Sequence, residues 1–214
     1  MPAIDKIDAR TGIDLRVAAG CQTRHEAVDV EGNYVIAVEE GARYEAFFLM
    51  RGQKAQIRVD LLGKNASCDL KVVYLSGSGA DNILLTDIRH VHPETFSDQT
   101  VKGVLAGTGQ ARFDGVIRIP FDSQKCEGNQ NHRAVLLSKD AFVTCTPELE
   151  IYADDVKCAH GSAIGALNEE QLFYLKTRGI PQAEAQKMLI QGFLSEIMPA
   201  DKIKLIENWM DAHE

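Results

Sequence analysis

Long apolar runs are missing from this sequence. The longest, such as those at 46–50 and 83–85, fall far short of the roughly 20 residues needed to cross a bilayer, so no membrane protein is expected. No apolar stretch follows the first basic residue, Lys6, so the h-region of a secretory signal peptide is absent and a cytoplasmic protein is expected. Basic residues are in deficit, 23 against 31 acidic, for a formal net charge of −8. Without clustered Lys and Arg to release counterions from a phosphate backbone, nucleic-acid binding is excluded. The five cysteines are odd in number and scattered, at Cys21, Cys68, Cys126, Cys145 and Cys158, and no two form a CxxC. A disulfide framework, a zinc ribbon and a thioredoxin-type pair are therefore not encoded, and free thiols are expected. Phosphate-binding signatures are lacking as well: Ser76-Gly77-Ser78-Gly79 has no following Lys-Ser/Thr and reads as a turn, and 103–109 lacks the third glycine of a dinucleotide fingerprint. No nucleotide is expected to bind this chain. Neither a GxSxG elbow nor an HExxH helix occurs, so the common hydrolase signatures are absent.

What remains is a chain of 214 residues, 45% apolar and 25% charged, enough for one large domain or a domain with a small appendage. From about Asn33 to Cys158, short runs of Val, Ile, Leu, Tyr and Phe are broken every ten residues or so by Gly, Asn or Asp. Examples are 34–38, 55–59, 70–74, 115–119 and 149–152. Several alternate apolar with polar, as strands do when one face is inward and one in water. A sandwich, a barrel and a parallel β-helix all suit this spacing. Residues 1–32 carry no clear assignment.

After His160-Gly161 the period changes. Asn168 is a good N-cap with Gln171 three residues on, as in a capping box, and Leu172, Phe173 and Leu175 cluster at helical spacing, so a helix is predicted over 169–178. Gly179 suits the left-handed C′ position, Ile180 can fold back on the last turn, and Pro181 fits the first position of a second helix bearing Ala185, Met188, Leu189, Phe193 and Leu194 on one stripe. A third helix is predicted over 200–212 with Ile203, Leu205, Ile206, Trp209 and Met210.

Two His/Cys pairs invite a chemical reading. His90 and His92 alternate on one face of a predicted strand, but two ligands without a third favour a hydrogen-bonding role. Cys158 and His160 form a second i, i+2 pair where the β region meets the helices. They suit iron, zinc or sulfur species, or an activated thiol, and equally an inert buried Cys beside a surface His.

Around that junction, Pro147-Glu148-Leu149-Glu150-Ile151-Tyr152-Ala153-Asp154-Asp155-Val156-Lys157-Cys158-Ala159-His160-Gly161 resembles the signature of the SufB/SufD family of iron-sulfur cluster assembly proteins. The resemblance continues through Ile164-Gly165-Ala166-Leu167-Asn168-Glu169-Glu170-Gln171-Leu172-Phe173-Tyr174-Leu175, Arg178-Gly179-Ile180 and Gly192-Phe193. Upstream it takes in His92-Pro93, Thr95, Ser97, Phe113-Asp114-Gly115 and Leu136-Leu137-Ser138. It covers about 87–196 and is closer to the SufD branch.

The resemblance implies a mainly β fold: a right-handed parallel β-helix core over 1–161, then a small α-helical domain over 162–214. It implies a non-catalytic scaffold that handles a transient iron-sulfur cluster or iron, pairs with a second copy or with a SufB-like subunit, and serves apo iron-sulfur proteins. The helical domain would dock a SufC-like ABC ATPase, which would hydrolyse the ATP. Residue by residue, His160 falls on the SufD histidine beside the nascent cluster. Gly161 stands where SufB has a glutamate, and His132 stands where SufB has a cysteine. An imidazole can bind iron but cannot carry persulfide sulfur, so Cys158 or Cys145 would have to substitute. Between Asn131 and Arg133, His132 equally fits a solvated turn. Leu172, Phe173, Arg178, Gly179, Ile180, Gly192 and Phe193 fall on the ATPase-facing module; core packing and capping explain most of them, and Arg178 is the better candidate for contact. Typical members carry an N-terminal domain, for which the first 86 residues leave little room. A second reading is a regulatory or tethering module that binds the ATPase without building clusters. A third, an enzyme with Cys158 as nucleophile and His160 as base, lacks an orienting acid.

Overall fold

The computed structural model describes residues 4–213, with side chains from residue 7 onward, so residues 1–3 and 214 of the expected domains lie outside the described residues. Among the described residues thirteen strands precede the helices. In order they are β1 (Ile4–Ile7), β2 (Thr11–Val17), β3 (Gln22–Val28), β4 (Glu31–Val38), β5 (Arg43–Met50), β6 (Lys54–Leu61), β7 (Ser67–Ser76), β8 (Asp81–His90), β9 (Phe96–Leu105), β10 (Gln110–Ile119), β11 (Glu127–Leu136), β12 (Phe142–Ile151) and β13 (Lys157–Ala166). They alternate between two sheets, β1-β3-β5-β7-β9-β11-β13 and β12-β10-β8-β6-β4-β2. Every ladder is parallel, each strand pairing with the one two places away in sequence. That connectivity is a parallel β-helix, and it excludes the sandwich and the barrel. Residues 4–90 are given over to its first eight strands.

The coil widens along the chain. Strands grow from 7 residues in β2 and β3 to 10 in β7 through β13. Alternation turns every second side chain inward, where Tyr34, Ile36, Tyr44, Phe48, Ile57, Leu70, Val72 and Phe113 stack into one core. One corner is built from residues with positive φ, Asn65 (59°), Glu94 (57°) and Lys125 (59°), joined by Asn65 N–H to Glu94 O at 2.9 Å. Only the first of these is a residue type that favours such a conformation.

β5, β7 and β9 lose their alternation in their second halves, where five successive residues are buried. Their outward residues Phe47, Leu49, Val73, Leu75 and Val104 are covered by Ile190, Leu194, Ile206, Trp209 and Met210 of the helices. The helices are α1 (Glu169–Thr177), α2 (Gln182–Ser195) and α3 (Ile203–Asp211), the last entered through a 3-10 turn at Ala200–Lys202. The Asn168 side chain accepts from Gln171 N–H at 2.9 Å. Gly179 closes α1 at φ 84°, with Gly179 N–H on Lys176 O and Ile180 N–H on Leu175 O, the paired bonds of a Schellman ending. Pro181 serves as N-cap of α2, one place earlier than expected. The boundary expected at 161 moves to Ala166, because Gly161 and the residues after it still pair in register with β11. Among the described residues no helix is long and apolar enough to cross a membrane.

Candidate functional site

β13 ends its sheet, and among the described residues no strand lies beyond it, so the last coil is an open mouth. Buried, inward-facing Gly128, Gln130, His132 and Ala134 of β11 stand in register with Cys158, His160, Ser162 and Ile164 of β13. The same inward positions of β13 have no further coil above them. Every residue from 159 to 166 is exposed. Cys158 and His160 are thus brought to one face of one strand, as their spacing predicts. Cys158 is half-buried against Ile88, Ile117, Cys126 and Ala153; burial pushes its thiol pKa up, opposed by a backbone hydrogen bond with Gly128.

His132 is not a solvated turn residue. It is fully buried in the middle of β11, because strand alternation sends Asn131 and Arg133 outward and the imidazole in. Its Nε2 lies 2.8 Å from Tyr74 Oη, its Nδ1 lies 3.3 Å from Ser162 Oγ, and its ring stacks on Phe113 at 5.3 Å. Burial lowers its pKa to about 4, so the ring is neutral at pH 7. Ser162 in turn hydrogen-bonds the half-buried Cys145 thiol, which burial pushes up and Ser162 draws down. A polar chain therefore runs Tyr74–His132–Ser162–Cys145 from the interior to the mouth. Tyr74 reaches across because its ladder partner is Gly103, where a Cβ would lie 2.1 Å from the Tyr74 ring. With both ring nitrogens engaged, His132 is a link in this chain and has no nitrogen left for a metal in this conformation.

His90 is a buried hydrogen-bonding histidine, with Nδ1 2.8 Å from Thr95 Oγ1 and Nε2 2.9 Å from Ser97 Oγ. Burial lowers its pKa to about 4. His92 lies beyond the end of β8 and does not share its face. Among the described residues no group of three or more His, Cys, Asp or Glu is arranged around one metal position. Tyr74, Ser162 and Gln130 were not singled out from the sequence. The signal was the run of polar residues at alternate positions of β11, Gln130 and His132, on a strand whose inner face must be buried.

The helical candidates separate into two groups. α1 buries no residue; Phe173 is 69% and Tyr174 56% exposed, and Met188 of α2 is exposed as well. Arg178 is exposed at the end of α1, with its guanidinium 5.2 Å from the Tyr174 ring centroid. Leu172, in the first turn of α1, and Ile180, next to Gly179, are half-buried. Gly192 is exposed on α2, where a Cβ would meet nothing within 4 Å. Phe193 belongs to the interface with the β-helix instead, packed against the cluster of Leu49, Val73 and Val104.

Comparison with known proteins adds the family. The profile described as SUF system FeS cluster assembly, SufBD core domain, matches residues 6–193. The chain is 34% identical over 161 residues to the iron-sulfur cluster assembly protein SufD of Escherichia coli, covering 74% of this chain and 35% of that protein. It is 36% identical over 164 residues to the chloroplastic protein ABCI7 of Arabidopsis thaliana, covering 75% and 34%. With SufD of Bacillus subtilis it shares 29% identity over 148 residues, covering 68% and 34%. The chain spans about a third of the length of these relatives.

Proposed function

The chain belongs to the SufB/SufD family of iron-sulfur cluster assembly proteins, and from that premise we propose that it is a SufD-like scaffold subunit. The observation that carries this reading is the uncovered inner face of β13, which presents Cys158 and His160 at the mouth of the β-helix, with Cys145 on β12, the last strand of the other sheet. An edge strand with unpaired N–H and C=O groups is a template for a second chain. A second copy, or a SufB-like subunit, pairing there would bring its own ligands to His160 and complete a site that one chain leaves short. The cargo is a transient cluster or iron, delivered to apo iron-sulfur proteins. The chain itself is non-catalytic. The exposed face of α1 with Arg178 docks a SufC-type ABC ATPase, with exposed Gly192 of α2 as a further candidate, while Phe193 acts indirectly by seating α2 on the β-helix. Five free cysteines suit a reducing compartment, the cytoplasm.

The test is anaerobic addition of iron and sulfide to the subunit with its ATPase. Visible absorbance should develop and should fall in His160→Ala; an unchanged spectrum in that variant sinks the cluster role.

A second reading has its own support. Gly161 in place of an acid, and the engagement of both His132 nitrogens, leave few ligands at the mouth. A regulatory or tethering module predicts an ATPase complex of normal affinity with no metal-dependent absorbance at any iron concentration.

A further inference from the structure

We infer that Gln130 is the positioning residue for His160: its amide oxygen takes one imidazole N–H and so leaves the other ring nitrogen unprotonated and facing out of the mouth. Gln130 is 1% exposed, and its Nε2 donates to Gly115 O at 3.1 Å. A carbonyl only accepts, so the NH₂ end must face Gly115 and Oε1 is fixed on the other side. That oxygen is buried without a partner. The amide has room because residue 115 is glycine; a Cβ there would lie 2.4 Å from Gln130 Nε2 and 2.9 Å from Thr86 Oγ1.

Folded proteins rarely leave a buried acceptor unpaired, so a donor is to be sought among the neighbours. On β9 the ladder partner is Gln99, whose amide is held in place by Thr86 Oγ1 at 2.9 and 3.2 Å and whose remaining N–H does not reach Gln130 Oε1. On β13 the ladder partner is His160, one strand spacing away (about 4.8 Å) and facing the same way. Its strand is exposed, so the imidazole is free to turn about its own side-chain bonds and donate. A histidine that gives one N–H to a fixed acceptor holds a single tautomer and a single orientation, which is how outer groups prepare imidazoles for metals. Here the prepared nitrogen faces iron or an iron-sulfur cargo. That last step rests on the proposed function; the hydrogen bond itself does not.

The experiment is long-range 1H–15N correlation on the full chain at pH 8, with the His160 signals identified by their loss in His160→Ala. One nitrogen should appear protonated and the other unprotonated. In Gln130→Met the two should average, and Gln130→Glu, whose buried carboxylic acid keeps an O–H for Gly115 O and a C=O acceptor, should restore the split. Cobalt(II) affinity should fall roughly tenfold in Gln130→Met and recover in Gln130→Glu. Averaged nitrogens in the native protein, which needs no variant to fold, or an unchanged split in Gln130→Met, overturns the inference. A split that depends on Gln130, together with cobalt binding indifferent to His160→Ala, upholds the hydrogen bond and overturns the ligand reading of His160.

Discussion

Lys102 and Phe193 are joined twice: Lys102 Nζ donates to the Phe193 carbonyl oxygen at 2.6 Å and sits 4.8 Å from the centroid of the Phe193 ring. The same ammonium pairs with Glu196. A lysine only 2% exposed, on the outer face of β9, thus fastens the end of α2 to the β-helix.

Replacing it tests that fastening. Lys102→Met keeps the stem and removes the donor, so the Phe193 carbonyl loses its partner at a cost of about 1–3 kcal/mol. Limited proteolysis should cut between 196 and 202 sooner, and the thermal midpoint should drop by several degrees. A variant with the native midpoint and cleavage pattern would mean that apolar packing alone holds the helices.

Buried neutral histidines make stability depend on pH. In the folded protein His90 and His132 titrate at about 4, against about 6.5 in an unfolded chain, and burial shifts His25 the same way. Between those values the unfolded state binds more protons. The stability is therefore present above about pH 6.5 and is lost as pH falls towards 4, on the order of 3 kcal/mol for each of His90 and His132. Urea midpoints at pH 7.5, 6 and 5 should fall in that order, with a shallower fall in His132→Gln; a flat series would falsify the burial of neutral rings.

The cysteines should react in a fixed order. Cys21 is exposed, Cys145 and Cys158 are half-buried, and Cys68 and Cys126 are buried. Alkylation followed by mass spectrometry should label Cys21 first and Cys68 and Cys126 only on unfolding. Ser162→Ala should slow labelling of Cys145, because the hydrogen bond that lowers its pKa is gone. Faster labelling would show Ser162 to be a shield instead.

α1 should be separable from the rest in stability. It buries no residue and relies on its ends, so Asn168→Ala should cost the helix about 1 kcal/mol. Gly179→Ala should cost a similar amount through the strained φ of 84°. Hydrogen exchange should speed up across 169–177 and stay unchanged in β4 through β10; a global loss of protection would contradict the local view.

Much of this architecture was legible in the residues. The alternation at 34–38, 55–59 and 115–119 marks strands, and Asn168 and Gly179 bracket α1, because those signals are local. The parallel connectivity was not legible from periodicity, since a strand's pattern does not name its partner. The corner at Glu94 and Lys125 was hidden because neither residue type advertises positive φ. The unbroken apolar run at 46–50 did carry information about the helices: both faces of β5 are covered there, a fact about residues near 190 and 206. Within the site, Cys158 and His160 share a face through simple spacing. The linkage of Tyr74 to His132, 58 positions apart, needed the fold, as did the placing of Gln130 beside His160.

The docking of α2 and α3 on β5, β7 and β9 also orders events at the ribosome. Each coil can stack as soon as the next is made, yet Phe47, Leu49, Val73 and Leu75 wait for Ile190, Leu194, Ile206 and Trp209. Until residues 190–209 are made, the growing solenoid carries a greasy stripe in the open. A ribosome stalled near residue 180 would hold a nearly finished β-helix that is still sticky, a natural client for a chaperone that grips exposed apolar strands.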